Sequence, residues 1–301
     1  PKNDYVDSFV IADCLRFGRI NKEVYMGEYR YKALQNLTRA RFFAVQNLVK
    51  EKQRFMNVLF KKYSTMTQEK VFSDTFSTTA LAVYDEFESA EALANMDLHE
   101  LTDFVMEKGK NRFPNPDAVA KAIQKAARSS YRLPKTVNDS VNQVLSISIT
   151  SMKALESQIK EFDKAIKAQV ELIPNVLISI PGIGPVYSAG IMAEIGDINR
   201  FNSQAALAKY AGLAWKQHQS GGFESEVTRL IPSGNRFLKY YLCEAAFSLV
   251  RCDKEYSDFY HLKYKEVNRC QHKRALALTA RKFVRLVFRL LKDNRLYCPA
   301  K

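Results

Sequence analysis

The segment LISIPGIGPVYSAGIMAEIGD, Leu177 to Asp197, is apolar at nearly every position and is interrupted once, at Pro181-Gly182-Ile183-Gly184. Its pattern predicts two helices flanking a tight turn. Gly182 and Gly184 admit positive φ and leave their backbone amides uncovered, Pro185 suits the first turn of the following helix, and Ser188 and Ala189 allow close packing. Amides gathered at a helix N-terminus form a seat for phosphate. A tight αα-corner that holds no ligand has the same pattern.

Working outward, the rest of the chain is written in the same helical idiom. Its 301 residues contain only 11 Gly and 9 Pro, and 47% are hydrophobic, so the fold class expected is mainly α with few tight turns. That composition excludes a disordered tail, a collagen-like fibre and a disulfide scaffold, and the length suggests two or three domains. No uncharged apolar run reaches 18 residues, which predicts a cytoplasmic protein with no membrane partner. The opening residues Pro1-Lys2-Asn3 are neither a signal segment nor preceded by Met, so the amino end is expected to lie upstream. Five widely spaced cysteines, Cys14, Cys243, Cys252, Cys270 and Cys298, are expected to be reduced thiols.

Charge is distributed unevenly. The chain carries 46 Lys and Arg against 32 Asp and Glu, a net +14, and residues 173–301 account for +10 of it. A basic carboxyl-terminal part predicts a polyanionic partner, most often nucleic acid. Within it, Arg281, Arg285, Arg289 and Lys292 fall on one stripe of a helix whose other face carries Phe283, Val284, Val287 and Leu291. The ProGlyIleGly turn, set in these surroundings, resembles the helix-hairpin-helix module that holds the DNA backbone without reading sequence.

Three further segments order the remainder. Val6, Phe9, Val10, Cys14 and Phe17 recur at helical spacing behind Asp4, a residue suited to an N-cap. Asp4 and Asp7 share one face there, in position either to hold a divalent cation together or to serve as a plain capping pair. From Glu28 to Tyr63, Leu34, Leu37, Ala44, Leu48, Phe55 and Leu59 predict a long helix with a basic face. Residues 64–140 predict small helices near 80–91 and 117–127, and Val141 to Ile166 alternates four- and three-residue steps as in a coiled-coil arm or a bundle helix. Finally, Ser220 stands before Gly221-Gly222, with Lys216, His218, Arg229 and Arg236 nearby; the spacing fits an activated hydroxyl and fits a flexible loop better.

Taken together, KNDYVDSFVIA at 2–12, PGIG at 181–184, YAGL at 210–213, QSG at 219–221, and GNRFLK with EAA at 234–246 resemble one family, the DEDD transposases of insertion-sequence family one-hundred-and-ten. The resemblance covers residues 1–62 and about 172–260 in the family's order. It implies the tail of a RuvC-like α/β domain over residues 1–63, a helical insertion with a coiled-coil arm over 64–172, and over 173–301 a helical transposase domain with the helix-hairpin-helix and a serine loop. It implies that Asp4 and Asp7 are the last two of four metal-binding acids for Mg²⁺ or Mn²⁺, with Ser8 where Ala is usual. Ser220 then matches the nucleophile, and Arg229, Gly234, Asn235 and Arg236 match the basic segment after it, where Pro232 and Ser233 replace residues that are often basic.

The family's first two acids have no counterpart in the sequence, so the 301-residue chain alone is expected to be inactive. The activity implied is a DNA transposase or recombinase that cuts and rejoins strands in a homo-oligomer, at the nucleoid. Metal-bound acids of one subunit would assist Ser220 of another, and a structured guide RNA would choose the DNA. Nucleic acid would be held by Gly182, Gly184, Lys216, Arg229, Asn235, Arg236, Arg281 and Arg285. The same residues leave open a non-catalytic junction-binding protein, which would not need the Ser220 hydroxyl, and a RuvC-like nuclease that cuts with water.

Overall fold

The computed structural model describes residues 3–19, 27–215, 219–220, 223–224 and 229–299. In chain order the described helices are α1 (Asp4–Arg16), α2 (Tyr29–Lys62), α3 (Ser64–Gln68), α4 (Thr78–Glu86), α5 (Ala90–Asn95), α6 (Leu98–Lys108), α7 (Pro116–Arg128), α8 (Lys135–Val170), α9 (Pro185–Ile195), α10 (Gln204–Tyr210), α11 (Arg236–Cys252), α12 (Lys254–Lys265) and α13 (Gln271–Asp293). Two strands, β1 (Gln219–Ser220) and β2 (Phe223–Glu224), pair antiparallel. The fold is mainly α, as the sparse Gly and Pro content requires. Many helices open where the sequence supplies a capping oxygen: Ser77, Ser89, Asp97, Ser203 and Asp253 each accept a hydrogen bond from a first-turn amide, and Asn115 does so just ahead of Pro116.

The chain divides into two compact units, residues 36–178 with 182–190, and residues 1–35 with 179–181 and 191–301. In the first, Phe55 and Leu59 of α2 and Tyr63 just beyond it meet Val83 and Tyr84 of α4, Leu101 of α6, Ile123 of α7 and Leu145 and Met152 of α8 in one core. The long helices α2 and α8 run antiparallel and are pinned by polar pairs: Arg41 with Asp163, Glu51 with Ser148, and Lys52 Nζ with Glu156 at 3.3 Å. The four-three stripe of α8 therefore faces its own chain. Val141, Leu145, Ser148, Met152 and Ile166 are buried, and Leu155, Ile159 and Phe162 are half-buried. The helix expected near 117–127 is α7, and residues 80–91 form α4 and the start of α5 rather than one helix.

A buried lysine sits inside this unit. Lys62, 1% exposed, donates from Nζ to the carbonyls of Tyr84 (2.9 Å) and Phe87 (2.5 Å). Burial pushes its ammonium down to about 8, with Asp85 and Glu88 opposing. Between pH 8 and 10 the unfolded chain holds a proton on this lysine that the folded chain has released, so folding stability rises with pH across that window. Above pH 10 the phenols of Tyr63 and Tyr84, both raised by burial, reverse the trend. Urea unfolding at pH 7.5 and 9.5 is expected to show wild type gaining roughly 1 kcal/mol relative to Lys62→Met; an equal change in the two chains would exclude a buried, titrating ammonium.

In the second unit α11, α12 and α13 pack mutually and α10 lies on α13. Leu238, Tyr241, Leu242 and Leu249 of α11 are buried together with Phe283, Val284 and Val287 of α13, the apolar face read from its spacing, with Leu290 buried and Leu291 half-buried. Tyr297, beyond α13, donates from its hydroxyl to Asp253 Oδ2 (2.6 Å) and from its amide to Ser179 Oγ (2.9 Å), tying the tail down. Helix α1 buries none of its residues. All five cysteines are free thiols.

Candidate nucleic-acid interface and serine hairpin

The ProGlyIleGly turn takes the conformation its glycines permit. Gly182 has φ +80°, and a Cβ built on Gly184 meets nothing within 4 Å, so the space beside Gly184 is open. Ser188 and Ala189 are fully buried, and Asn175 Nδ2 donates to Ser188 Oγ at 2.9 Å while its Oδ1 accepts from Leu177 N, which fastens the segment leading into the turn to α9. The element ahead of the turn is a 3-10 turn at Val176–Ser179, not the α-helix expected. Pro174 and Pro181 leave six residues between them, and the residue before a proline is pushed out of the α region.

Past α9 the chain builds a clasp. Asn235 is the N-cap of α11: its Oδ1 accepts from Phe237 N and Leu238 N, both 3.0 Å, and its Nδ2 donates to Glu194 Oε2 (2.7 Å) and to Tyr210 Oη (3.2 Å). Glu194, 2% exposed at the end of α9, also accepts from Gln35 Nε2 (3.2 Å). The Asn235 amide N–H donates to Tyr210 O at 2.7 Å. Gly212 (φ +72°) and Gly234 (φ +127°) press backbone to backbone: a Cβ on Gly234 would lie 2.5 Å from Gly212 N, and one on Gly212 would lie 2.9 Å from Ser233 O. Arg200 seals the edge, donating to the carbonyls of Ile195 (3.0 Å) and Glu194 (3.3 Å) and lying 4.6 Å and 4.7 Å from the rings of Phe201 and Tyr210.

From this clasp two chain segments leave side by side. Ile231 N donates to Ala214 O at 2.9 Å, and Trp215 and Leu230 form an antiparallel bridge. Farther out, Ser220 pairs with Phe223 across Gly221-Gly222, so its backbone is the last paired position before the turn. Lys216, His218, Gly221 and Gly222 lie outside the described residues. Arg229 and Arg236 are exposed, and Arg236 lies over the Phe237 ring at 5.1 Å.

Other expected site residues are placed as follows. The cap of α1 is Asn3, whose Oδ1 accepts from Val6 N at 2.8 Å, and not Asp4. Asn caps as well as Asp does, and it is residue 3 that has the extended backbone a cap needs (φ −143°, ψ 162°). This corrects the capping reading of Asp4 and Asp7. Both are exposed in the first turn, and neither carboxylate has a hydrogen-bond or ion-pair partner among the described residues. No group of three or more His, Cys, Asp or Glu suited to a metal occurs among the described residues. Two hard oxygen donors still fit Mg²⁺, which commonly takes one or two carboxylates and completes its shell with water and substrate phosphate.

On α13, Arg285 is exposed, while Arg281 is half-buried, donates to Gln204 O at 3.2 Å, and has its guanidinium pushed down by burial and by Arg285. Lys292 donates to Asn199 Oδ1, and Lys282 pairs with Glu255, so part of the basic stripe is used in packing. His272 Nδ1 pairs with the Tyr260 hydroxyl at 2.6 Å. Sequence reasoning singled out neither Glu194 nor Gln35, and it met Tyr210 and Gly212 only as part of the YAGL motif. A signal for Glu194 exists: it is a lone carboxylate in a helix otherwise apolar all round.

An open glycine turn ahead of a helix, and separately a paired serine and the exposed Arg229 and Arg236, are each features suited to phosphate. Comparison with known families and proteins gives the group. The model described as "Transposase", of the IS110 DEDD type, matches residues 1–63, and that of the "Transposase IS116/IS110/IS902 family" matches residues 175–261. Both models are of IS110-type transposases of insertion sequences, and this chain matches one over its first 63 residues and the other over residues 175–261. It is 27% identical over 308 residues to the "Insertion element IS116 uncharacterized 44.8 kDa protein" of Streptomyces clavuligerus, covering 99% of this chain and 73% of that one. It is 25% identical over 304 residues to the "Insertion element IS900 uncharacterized 42 kDa protein" of Mycobacterium paratuberculosis, with the same shares. Over 160 residues, 52% of this chain and 44% of the relative, it is 27% identical to the "Transposase for insertion sequence element IS1111A" of Coxiella burnetii. None of the helices in the described residues is long and apolar enough to cross a membrane.

Proposed function

We propose that the chain cuts and rejoins DNA strands at the ends of an insertion sequence, with Ser220 as the nucleophile. The observation that carries this reading is the place of Ser220: it is the last paired residue before a two-glycine turn, on a hairpin rooted in the clasp, within the segment matched by the transposase model. Its hydroxyl oxygen attacks the scissile phosphorus, an Oγ–P bond forms, a DNA P–O bond breaks, the serine proton passes to solvent or a neighbouring base, and the departing DNA oxygen takes up a proton. The phosphoserine ester stores the linkage, and a DNA hydroxyl reverses the step to join a new strand. Arg229 and Arg236, with Lys216, hold the phosphate by charge-assisted hydrogen bonds. Asp4 and Asp7 would hold Mg²⁺ or Mn²⁺, which offsets the negative charge that builds on the phosphate.

Residues 1–63 act as the end of a RuvC-like domain, 64–172 as a helical arm for assembly, and 173–301 as the transposase domain. The acids and the serine of one active centre come from different subunits of a homo-oligomer. The basic surfaces that include Arg281 and Arg285 hold DNA and a structured RNA that selects it by base pairing. The test, made with the full-length protein, is trapping of a covalent protein–DNA adduct on an element-end duplex, with wild type and Ser220→Ala side by side; no adduct from wild type, or an adduct from both, counts against the reading.

The seat at Gly184 has its own test. Because a methyl there meets no protein atom, Gly184→Ala is expected to keep the thermal midpoint within about 1 °C and to weaken binding of a DNA duplex about three- to tenfold. Undiminished affinity in a fluorescence titration would remove the turn from the DNA interface.

A further inference from the structure

We infer that Glu194 is a positioning residue for the serine hairpin, acting through Asn235; the inference rests on the Ser220 reading for its consequence, though not for its geometry. A carboxylate that is 2% exposed is costly to bury unless its oxygens are met by donors, and two side-chain amides, Gln35 Nε2 and Asn235 Nδ2, converge on the same oxygen. Asn235 is fully engaged. Its side-chain oxygen caps α11, both amide hydrogens are directed to Glu194 and Tyr210, and its main-chain N–H holds Tyr210 O. It has no donor to spare for nucleic acid. Its position in the GlyAsnArg segment is explained by fixing where the returning chain stops and α11 begins.

The consequence follows from connectivity. The two segments that carry Ser220 leave the clasp at Gly212 and Gly234, are joined at Ala214 and Ile231, and meet again at Trp215 and Leu230. Asn235 fixes where the returning segment ends, so its rotation would shift the Ala214–Ile231 and Trp215–Leu230 pairs from which the strand carrying Ser220 continues. The anionic acceptor at 194 holds the amide of Asn235 in the one orientation that both caps the helix and closes the root. Arg236, the next residue, takes its direction from the same cap.

The test is a reversal of donor and acceptor. Asn235→Asp sets two carboxylates against each other, and Glu194→Gln weakens the acceptor. The double variant Glu194→Gln/Asn235→Asp restores the pair with the roles exchanged. The amide introduced at position 194 donates, and the carboxylate introduced at position 235 accepts while still capping α11, because the Gln35 amide and the Tyr210 hydroxyl can turn to suit either arrangement. Trp215, the sole tryptophan, lies at the root and reports on it directly. Acrylamide quenching of its fluorescence is expected to rise in each single variant and to return to the wild-type value in the double variant. The rate of adduct formation is expected to fall about tenfold in the singles and to recover to within about twofold of wild type.

Quenching unchanged in the singles, or a double variant no better than the worse single, would overturn the proposal. Should Asn235→Asp fail to fold, Asn235→Ser keeps the cap and loses the reach to Glu194. It is then expected to raise quenching at an unchanged helix content, with no rescue by Glu194→Gln, and unchanged quenching would again refute the idea. The two readings separate cleanly: an adduct formed by Ser220→Ala sinks the nucleophile and leaves the quenching series to decide the positioning role. An inactive Ser220→Ala with flat quenching sinks only the positioning role.

Discussion

Ser220→Ala is expected to abolish covalent adduct formation and strand exchange, by at least about a thousandfold, while the far-UV spectrum, thermal midpoint and DNA affinity stay at wild-type values. The magnitude follows from the kind of group removed. A nucleophile makes the bond that the reaction requires, and no neighbouring group replaces its oxygen, whereas a positioning contact changes only the frequency of productive geometry. Affinity is spared because phosphate contacts by arginines and backbone amides are spread over many groups, with no large share on one hydroxyl. The backbone of Ser220 is paired with Phe223, and that pairing uses main-chain groups that alanine also has. Measurement of circle-junction formation from the matching element, with Ser220→Ala and Asp7→Asn in parallel, separates the readings. Loss in both fits a serine assisted by a metal-binding acid. Exchange retained by Ser220→Ala and lost in Asp7→Asn indicates hydrolysis by water, and retention in both leaves the hairpin without a chemical role.

Gly234→Ala is expected to cost about 3 kcal/mol or more of folding stability, the largest loss for a one-carbon change in the described part of the carboxyl-terminal unit. Two independent penalties add. The residue holds φ at +127°, where an L side chain is strained, and its new Cβ would stand 2.5 Å and 2.6 Å from the N and Cα of Gly212 and 3.1 Å from Tyr210 O. All three are main-chain atoms, which have no rotamer to yield. Relief requires the two segments to part, and parting breaks the Asn235 N–H to Tyr210 O bond and loosens the hairpin root. A markedly lower thermal midpoint together with raised Trp215 quenching is therefore expected. Gly184→Ala, a chemically identical change at an equally prominent glycine, leaves the midpoint alone, and equal destabilisation by the two would show that the clasp is not close-packed.

The amino-acid sequence by itself determined the helical class, the extent of α2, the apolar stripe of α8, the buried face of α13 and the turn at Gly182, because each is written in local terms: apolar spacing, capping residues and the scarcity of Gly and Pro. The five ordered motifs also sufficed to indicate the family, which the two model matches bear out. The partners of those motifs were decided only by tertiary structure. Asp4 read more readily as a cap than as a metal ligand until the backbone of residue 3 took the extended form that makes Asn3 the cap. The stripe on α8 had the spacing of an intermolecular coiled coil, and its buried face is met by α2 of the same chain through Arg41, Glu51 and Lys52. Asn235 had the composition of a phosphate-binding loop and is consumed inside the clasp. Glu194, 41 residues earlier, had no local signal of its partner at all. Spacing encodes which face of an element is buried; which donor meets a buried acceptor depends on chain segments that become neighbours only when the desolvated core forces them together.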